Sequence, residues 1–113
     1  MRSAVWVSQY FVDSAARTTD GTSNVRNVER AEQLLLAFQI TAISGTGARI
    51  GFVVDFATTP SGPWWRAKDI VRTTATGTLA IRLPTFAKYA RARWVIKGTT
   101  PSVTFAIVIS WRE

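Results

Sequence analysis

Apolar and polar side chains alternate with a period of two over long stretches of this chain, and that alternation sets its fold class. Near the end of the sequence, apolar residues occupy every second position from Val103 to Trp111, with Thr104, Val108 and Ser110 among the residues between them. This pattern is typical of strands that turn one face to a core and the other to solvent or a partner. Four further stripes follow it: Leu34, Leu36, Phe38 and Ile40; Ile50, Phe52, Val54 and Phe56; Leu79, Ile81 and Leu83; and Ala92, Trp94 and Ile96.

Two more strands are predicted at 4–12 and 64–73, which brings the total to about seven to eight strands. Clusters of Gly, Pro, Ser and Thr separate the strands and are typical of turns. With such short connections the predicted fold is all-β, an antiparallel β-sandwich of jelly-roll type. The turn clusters are 44–47, 59–63, 76–77 and 98–101.

The beginning of the chain departs from this pattern. Residues 14–27 are polar and show no apolar stripe, so they predict one long loop, of the kind that is usually functional or ordered by a partner. Good helix formers at 28–33 are compatible with a short helical turn. A chain of 113 residues has the length of a single domain. We divide that domain into an N-terminal strand with an extended polar arm (1–31) and a sandwich core (32–113).

A weak internal repeat is seen when the sequence is shifted by 53 positions. Each copy reads as strand, Gly-Thr turn, strand, so we expect two similar hairpins that face each other across the core. Duplication of one unit and convergent hairpin chemistry explain the match equally well. The matched pairs are Ile43 and Ile96, Gly45 and Gly98, Thr46 and Thr99, Ile50 and Val103, Phe52 and Phe105, and Val54 and Ile107.

The composition argues against an enzyme. The chain has no Cys and no His, which removes disulfides, thiolate and imidazole ligands, and the usual base of nucleophilic catalysis. Its seven carboxylates do not fall in pairs on facing strands. Asp20 and the residues after it favour an Asx-type turn over a calcium loop, and 45–47 favours a hairpin turn over a phosphate cradle. We therefore expect no catalytic residue, no cofactor and no metal site.

Positive charge is concentrated in the second half of the chain. The net charge is +7, and the whole excess lies after residue 56, where nine basic residues meet two acidic ones. This balance favours solubility or an acidic partner. On one predicted strand, Arg91, Arg93 and Lys97 share a face with Tyr89, which suits a solvent-facing surface, an acidic neighbouring subunit or a nucleic acid strand. We do not expect nucleic acid, because no known nucleic-acid-binding module fits the strand pattern.

The tryptophans are candidates for contacts with partners. Trp64 and Trp65 are adjacent, so in a strand they point to opposite faces, and we expect one in the core and the other outward or under a loop. The outward ring suits packing beneath its own loop, a protein interface or a sugar ring. Trp94 and Trp111 fit the core stripes, and we expect Trp6 to anchor the N-terminal arm.

Three stretches of the sequence carry a resemblance to known proteins. They are 32–47 (EQLLLAFQITAISGTG), Asp55 with 59–64 (TPSGPW), and 89–105 (YARARWVIKGTTPSVTF). These stretches resemble small virion proteins of tailed bacteriophages, the compact β-sandwich proteins encoded among phage head and tail genes. The resemblance covers roughly 32–111, and residues 1–31 have no counterpart in it.

This resemblance implies a non-enzymatic virion protein, in the first place a capsid decoration or cement protein that binds the major capsid protein shell and stabilises it. A tail or head–tail connector component and a carbohydrate-binding β-sandwich module are the alternatives. The implied partners are the major capsid protein or other virion proteins and further copies of the chain, as in a trimer. The implied location is the capsid surface after synthesis in the host cytoplasm. We expect no membrane partner, because no long apolar run is present. The interface candidates are Trp6, Arg17, Asp20, Arg26, Trp64, Arg91, Arg93 and Lys97.

Overall fold

The computed structural model describes residues 6–112, except for the side chains of Trp6, 70–72 and Arg112. The regular secondary structure in this part of the chain consists of β-strands alone, and every pair of strands is antiparallel. No helix of the described part is long and apolar enough to cross a membrane. The strands are β1 (Trp6–Arg17), β2 (Gly21–Thr22), β3 (Arg26–Asn27), β4 (Gln33–Ala57), β5 (Trp65–Thr73), β6 (Gly77–Pro84) and β7 (Tyr89–Arg112).

Two of these strands, β4 and β7, are very long and pair with each other from end to end. β4 has 25 residues and would span about 80 Å if it were straight. The longest dimension of the molecule is 52 Å, so the strand must bend. The bend is also seen in the core, where Phe38 and Phe52, from different halves of β4, have ring centroids 4.4 Å apart. The sequence predicted two strands in each of these segments, and each is instead one strand folded in its middle.

The bends divide the sheet into two layers that pack face to face. In both layers a half of β4 and a half of β7 form the centre, and shorter strands form the edges. The first layer has the order β6, β4 (33–44), β7 (102–112) and β1. The second layer has the order β5, β4 (46–57), β7 (89–99), and then β2 with β3.

Aromatic and branched side chains fill the space between the layers. Phe105 of the first layer lies edge-on to Phe52 and Trp94 of the second, with ring centroids 5.3 and 5.2 Å apart. The predicted apolar stripes on β4 and β7 form the two inner faces, and from Leu34 to Ile109 none of their residues is more than 8% exposed. The predicted stripe on β6, which consists of Leu79, Ile81 and Leu83, packs against the same core. The all-β antiparallel sandwich predicted from the sequence is therefore confirmed.

The Gly-rich segments in the middle of β4 and β7 are bends and not hairpin turns. Pairing continues through both, with Thr46 opposite Thr99 and shifts of register on either side. Such shifts place extra residues in one strand and bend it. The expectation of two separate hairpins is therefore wrong, because the same Gly-Thr chemistry serves a bend within a strand as well as a turn between strands.

The two bends share one backbone conformation. Gly45 (φ 108°) and Gly98 (φ 128°) occupy equivalent positions, as do Gly47 (φ 65°) and Thr100 (φ 50°). At both bends the chains approach closely. A β-carbon on Gly45 would lie 2.6 Å from the carbonyl oxygen of Thr100, and one on Gly98 would lie 2.8 Å from the α-carbon of Ala48. Only glycine meets both the conformational and the steric requirement at these two places.

A pseudo-twofold axis between Thr46 and Thr99 relates the two layers. These residues are 53 positions apart, which is the shift of the sequence repeat. Rotation about the axis exchanges β4 with β7, β1 with β5, and β3 with β6, and so exchanges the first layer with the second. The correspondence extends over strand order, pairing and backbone conformation. Duplication of one three-strand unit explains this extent better than convergent turn chemistry does.

The N-terminal third is built into the sandwich. The segment 14–27, expected as one long loop, instead continues β1 to Arg17 and then adds β2 and β3 along the edge of β7. Residues 28–33, compatible with a helical turn, contain only a short turn followed by the start of β4. Apolar residues from this third belong to the same core cluster as β4 and β7: Phe11, Val12, Val28 and Ala31.

Candidate interaction surface

The outward face of the second layer carries three charged side chains in direct contact, Asp55, Arg91 and Arg93, which we call the charged cluster. Asp55 faces away from the core, yet only 1% of it is exposed. Arg93 donates from Nε to Oδ2 of Asp55 at 2.6 Å and from Nη2 to Oδ1 at 3.1 Å. Arg91 donates from Nε to the same Oδ2 at 3.0 Å. One carboxylate thus orients two guanidinium groups through charge-assisted bonds, and the cluster keeps one excess positive charge.

Strand pairing places these groups together. Asp55 on β4 is directly opposite Arg91 on β7, and Arg93 lies two residues further along the same face. Trp64, just before β5, lies against Arg91, whose guanidinium carbon is 4.4 Å from the ring centroid. The side chains of Arg91 and Arg93 are 25% and 32% exposed. Each is therefore held in one position and still reaches solvent.

The surroundings of the charged cluster are also charged. Hydrogen bonding to Asp55 raises the pKa of Arg93 against the opposing effect of partial burial, and the charge of Asp69 acts in the same direction as that of Asp55. Asp69 also pairs with Arg66 at 3.2 Å. Near the bend, Arg49 and Lys97 lie opposite each other and are exposed. Among the residues whose side chains are described, this face carries by its strand register five bases and two acids: Arg49, Arg66, Arg91, Arg93 and Lys97, with Asp55 and Asp69.

Arg17, another predicted interface residue, is used inside the molecule. Its guanidinium lies over the rings of Trp94 and Phe105, 5.1 and 4.5 Å from their centroids. It also donates to the carbonyl oxygens of Asp13, Ala15 and Phe105. Burial lowers the pKa of Arg17, and the charge of Asp13 opposes that shift. The side chain thus joins the end of β1 to the core.

Asp20 ties the N-terminal third to β7, and Arg26 joins β3 to β1 within that third. Asp20 accepts a hydrogen bond from the amide of Ile96 at 2.8 Å. Arg26 donates to the side-chain oxygen of Gln9 and to the carbonyl oxygen of Tyr10, and it lines a cavity of about 480 Å³. None of these contacts includes the charged cluster. The side chain of Trp6, the remaining candidate, lies outside the described residues.

The adjacent tryptophans do not divide between core and surface as expected. Trp65 is 42% exposed, and Trp64 is half-buried between Arg91 and its own loop, where a β-carbon on Gly62 would lie 2.8 Å from the ring. Alternation does not apply to Trp64, because this residue precedes the first residue of β5. Trp65 is the first residue of β5, which lies at the edge of the sheet, so its side chain is only partly covered. Since Arg91 lies over the ring of Trp64, that ring offers little support for sugar stacking. Trp94 and Trp111 lie in or against the core, as predicted.

Sequence reasoning missed Asp55. The available signal was one carboxylate within an otherwise apolar stretch, 50–57, since a buried charge in a strand needs a partner. Its partners could not be named without the register between β4 and β7. Among the described residues, no group of three acidic side chains is arranged to hold a metal ion. The contacts that the structure describes on this face are charge pairs and hydrogen bonds.

A solved structure with the same fold is the crystal structure of the PBSX exported protein XepA. The two chains superpose with a TM-score of 0.69 at 14% sequence identity, and the match covers 93% of this chain. It covers 36% of the XepA chain, so this chain spans about a third of the length of that protein. Comparison with protein families finds no match, and neither does comparison with curated proteins.

Proposed function

We propose that this protein is a non-enzymatic structural protein of a tailed-phage particle. The observation that carries the proposal is the fold shared with XepA, the exported protein of phage PBSX, over 93% of the chain. The resemblance of 32–111 to small phage virion proteins supports the same function from the sequence. The proposal thus has two parts: the protein is of phage origin, and its role in the particle is structural.

Within the particle, we propose a place on the capsid surface, as a decoration or cement protein that binds the major capsid protein. The second layer supports this role, because its charged face is ordered by hydrogen bonds before any partner arrives. An excess of bases on that face suits an acidic shell. On a regular shell many copies act together, so weak individual contacts are sufficient for stable attachment.

Further copies of this chain are the second class of partner, in a symmetric oligomer such as a trimer. The outward face of the first layer supports contacts between copies. Ala80, Ala37 and Val108 lie side by side on adjacent strands and form a patch of small apolar side chains. Tyr10, next to Val108 on β1, is 58% exposed. Aromatic side chains of this kind are enriched in protein interfaces.

The test is the copy number of this chain in purified particles, measured by quantitative mass spectrometry against the major capsid protein. A copy number comparable to that of the major capsid protein supports the decoration role. A few copies per particle contradict the capsid-surface role and assign the protein to the tail or the connector. Complete absence from particles contradicts the structural function itself.

A further inference from the structure

We propose that the outward face of the second layer, centred on Arg91 and Arg93, is the surface that docks on a carboxylate-rich patch of the shell protein. This inference rests on the proposed function and names the face and the chemistry of the contact. It is carried by three observations: the fold does not need the charged cluster, the cluster is prearranged, and the face around it has an excess of positive charge.

The equivalent place in the first layer shows that the fold does not need the charged cluster. The pseudo-twofold axis exchanges the pair of Asp55 and Arg91 with the pair of Val108 and Ala37, which are also opposite each other on β4 and β7. Because the strand pairing shifts by one residue between Ile40 and Ala42, residues 33–40 of β4 correspond to β7 residues 54 positions later, and the counterpart of Arg93 is Gln39. One layer thus packs well with two small apolar residues and an amide where the other uses three charged groups. A buried carboxylate with two arginines often contributes little to stability, so another role explains its presence better.

The charged cluster is prearranged for binding. Asp55 accepts hydrogen bonds from the Nε groups of Arg91 and Arg93 and from one Nη group of Arg93. The other Nη groups of Arg91 and Arg93 make no hydrogen bond with the described residues, although Asp55 holds both side chains and Trp64 lies against that of Arg91. A fixed guanidinium loses little conformational entropy when it binds, and its remaining N–H groups suit the two oxygens of a carboxylate.

The charge of the whole face favours a protein carboxylate over nucleic acid. Asp55 and Asp69 lie among the five bases and each is already paired with at least one of them. A nucleic acid strand needs a continuous row of uncompensated bases for its phosphates, and two carboxylates in that row would repel it. A patch with carboxylates at separate positions can instead meet Arg91, Arg93 and the exposed Lys97 one at a time.

The first experiment grafts the outward residues of the first layer onto the second. The triple variant Asp55→Val, Arg91→Ala, Arg93→Gln lowers the net charge by one and leaves no buried charge without its partner. Arg82→Gln is the matched control, because it removes one positive charge from the exposed outward face of the first layer. Each purified full chain is mixed with particles assembled without it, and binding is measured by co-sedimentation over a range of concentrations and salt.

We expect wild type and Arg82→Gln to bind alike, and more weakly as salt rises. The triple variant should bind roughly tenfold more weakly or worse, as for loss of close charge pairs in other interfaces. If the triple variant is folded and binds like wild type, the docking face is wrong while the proposed function stands. If wild type itself does not bind particles, the proposed function fails, and the inference with it.

A second pair of variants keeps the test decisive if the triple variant does not fold. Lys97→Glu reverses an exposed charge on the same face, and Arg82→Glu makes the same change on the other. Weaker particle binding by Lys97→Glu alone supports the docking face, and equal binding by both overturns it. The same proteins are tested with duplex DNA in a mobility-shift assay. Binding of DNA that is lost in Lys97→Glu and kept in Arg82→Glu would overturn the choice of a protein partner.

Discussion

The two layers of this sandwich share one arrangement of central strands and have different outward faces. Their inner faces are both apolar and almost fully buried, since each must pack against the other. On their outward faces, the first layer has uncharged residues on β4 and on β7 from Thr104 to Ser110, and the second has the charged cluster and its neighbours. The inner faces therefore determine the fold, while the outward faces are available for contacts, and the asymmetry between the outward faces underlies the proposed docking surface.

The largest effect we predict is at the bends, whose equivalence underlies this comparison. Gly45→Ala and Gly98→Ala each add a β-carbon at positive φ and within about 3 Å of backbone atoms. Each should lower the free energy of unfolding by about 3 kcal/mol, part from the backbone conformation and part from the overlap. Urea unfolding followed by tryptophan fluorescence measures this change.

Gly47→Ala is the control for that prediction. Its φ is 65°, and a β-carbon there would meet nothing within 4 Å, so only the conformational cost of about 1 kcal/mol remains. If Gly45→Ala and Gly98→Ala differed from each other by more than either differs from Gly47→Ala, the two bends would not be structurally equivalent.

The second prediction concerns the stability of the charged cluster. Asp55→Val alone removes the acceptor of Arg91 and Arg93 and should cost about 2 kcal/mol, because two partly buried guanidinium groups lose their partner. The triple variant Asp55→Val, Arg91→Ala, Arg93→Gln should stay within about 1 kcal/mol of wild type, because it reproduces a packing that the first layer already has. Urea unfolding of the two variants side by side tests this order. A triple variant less stable than the single one would mean that the layers are not interchangeable.

The sequence alone was sufficient for the all-β class and for the inner faces of β4 and β7. Alternation is a local property, and from Leu34 to Ile40 and from Val103 to Ile109 every inward-facing residue could be assigned by counting, although Ala106 on the other face is buried as well. The bends were not accessible in this way. Gly45 and Gly98 suit a hairpin turn equally well, and the choice depends on the packing of Phe38 on Phe52, which lie in different halves of β4.

The charged cluster and the N-terminal third depend on relations across the chain. Arg91 and Arg93 were visible as a basic strand face, but their carboxylate partner is defined only by the pairing of β4 with β7. The polar segment 14–27 has no apolar stripe, so nothing local marks it as part of a sheet. Its position depends on side-chain hydrogen bonds to β7, which alternation does not report.

The edge strands that pair with β4 and β7 provide the smallest and most local prediction. In the first layer, β6 pairs with β4 through eight consecutive residues. In the second, β2 and β3 pair with β7 at four positions only, and the side chains of Asp20 and Ser23 accept hydrogen bonds from the amides of Ile96 and Ala92 that a continuous strand would otherwise accept. This edge should therefore be sensitive to single polar side chains, whereas β6 should not.

Asp20→Ala should lower the free energy of unfolding by about 1 kcal/mol, because the amide of Ile96 loses its acceptor. Thr78→Ala, at an exposed position in the continuous ladder of β6, should change it by less than about 0.5 kcal/mol. Hydrogen exchange locates the effect, since the amide of Ile96 should exchange faster in Asp20→Ala while those of β6 are unchanged. Unchanged exchange at Ile96 would mean that backbone pairing alone holds this edge. The edge formed by β2 and β3 would then differ from the edge formed by β6 only in the number of paired residues.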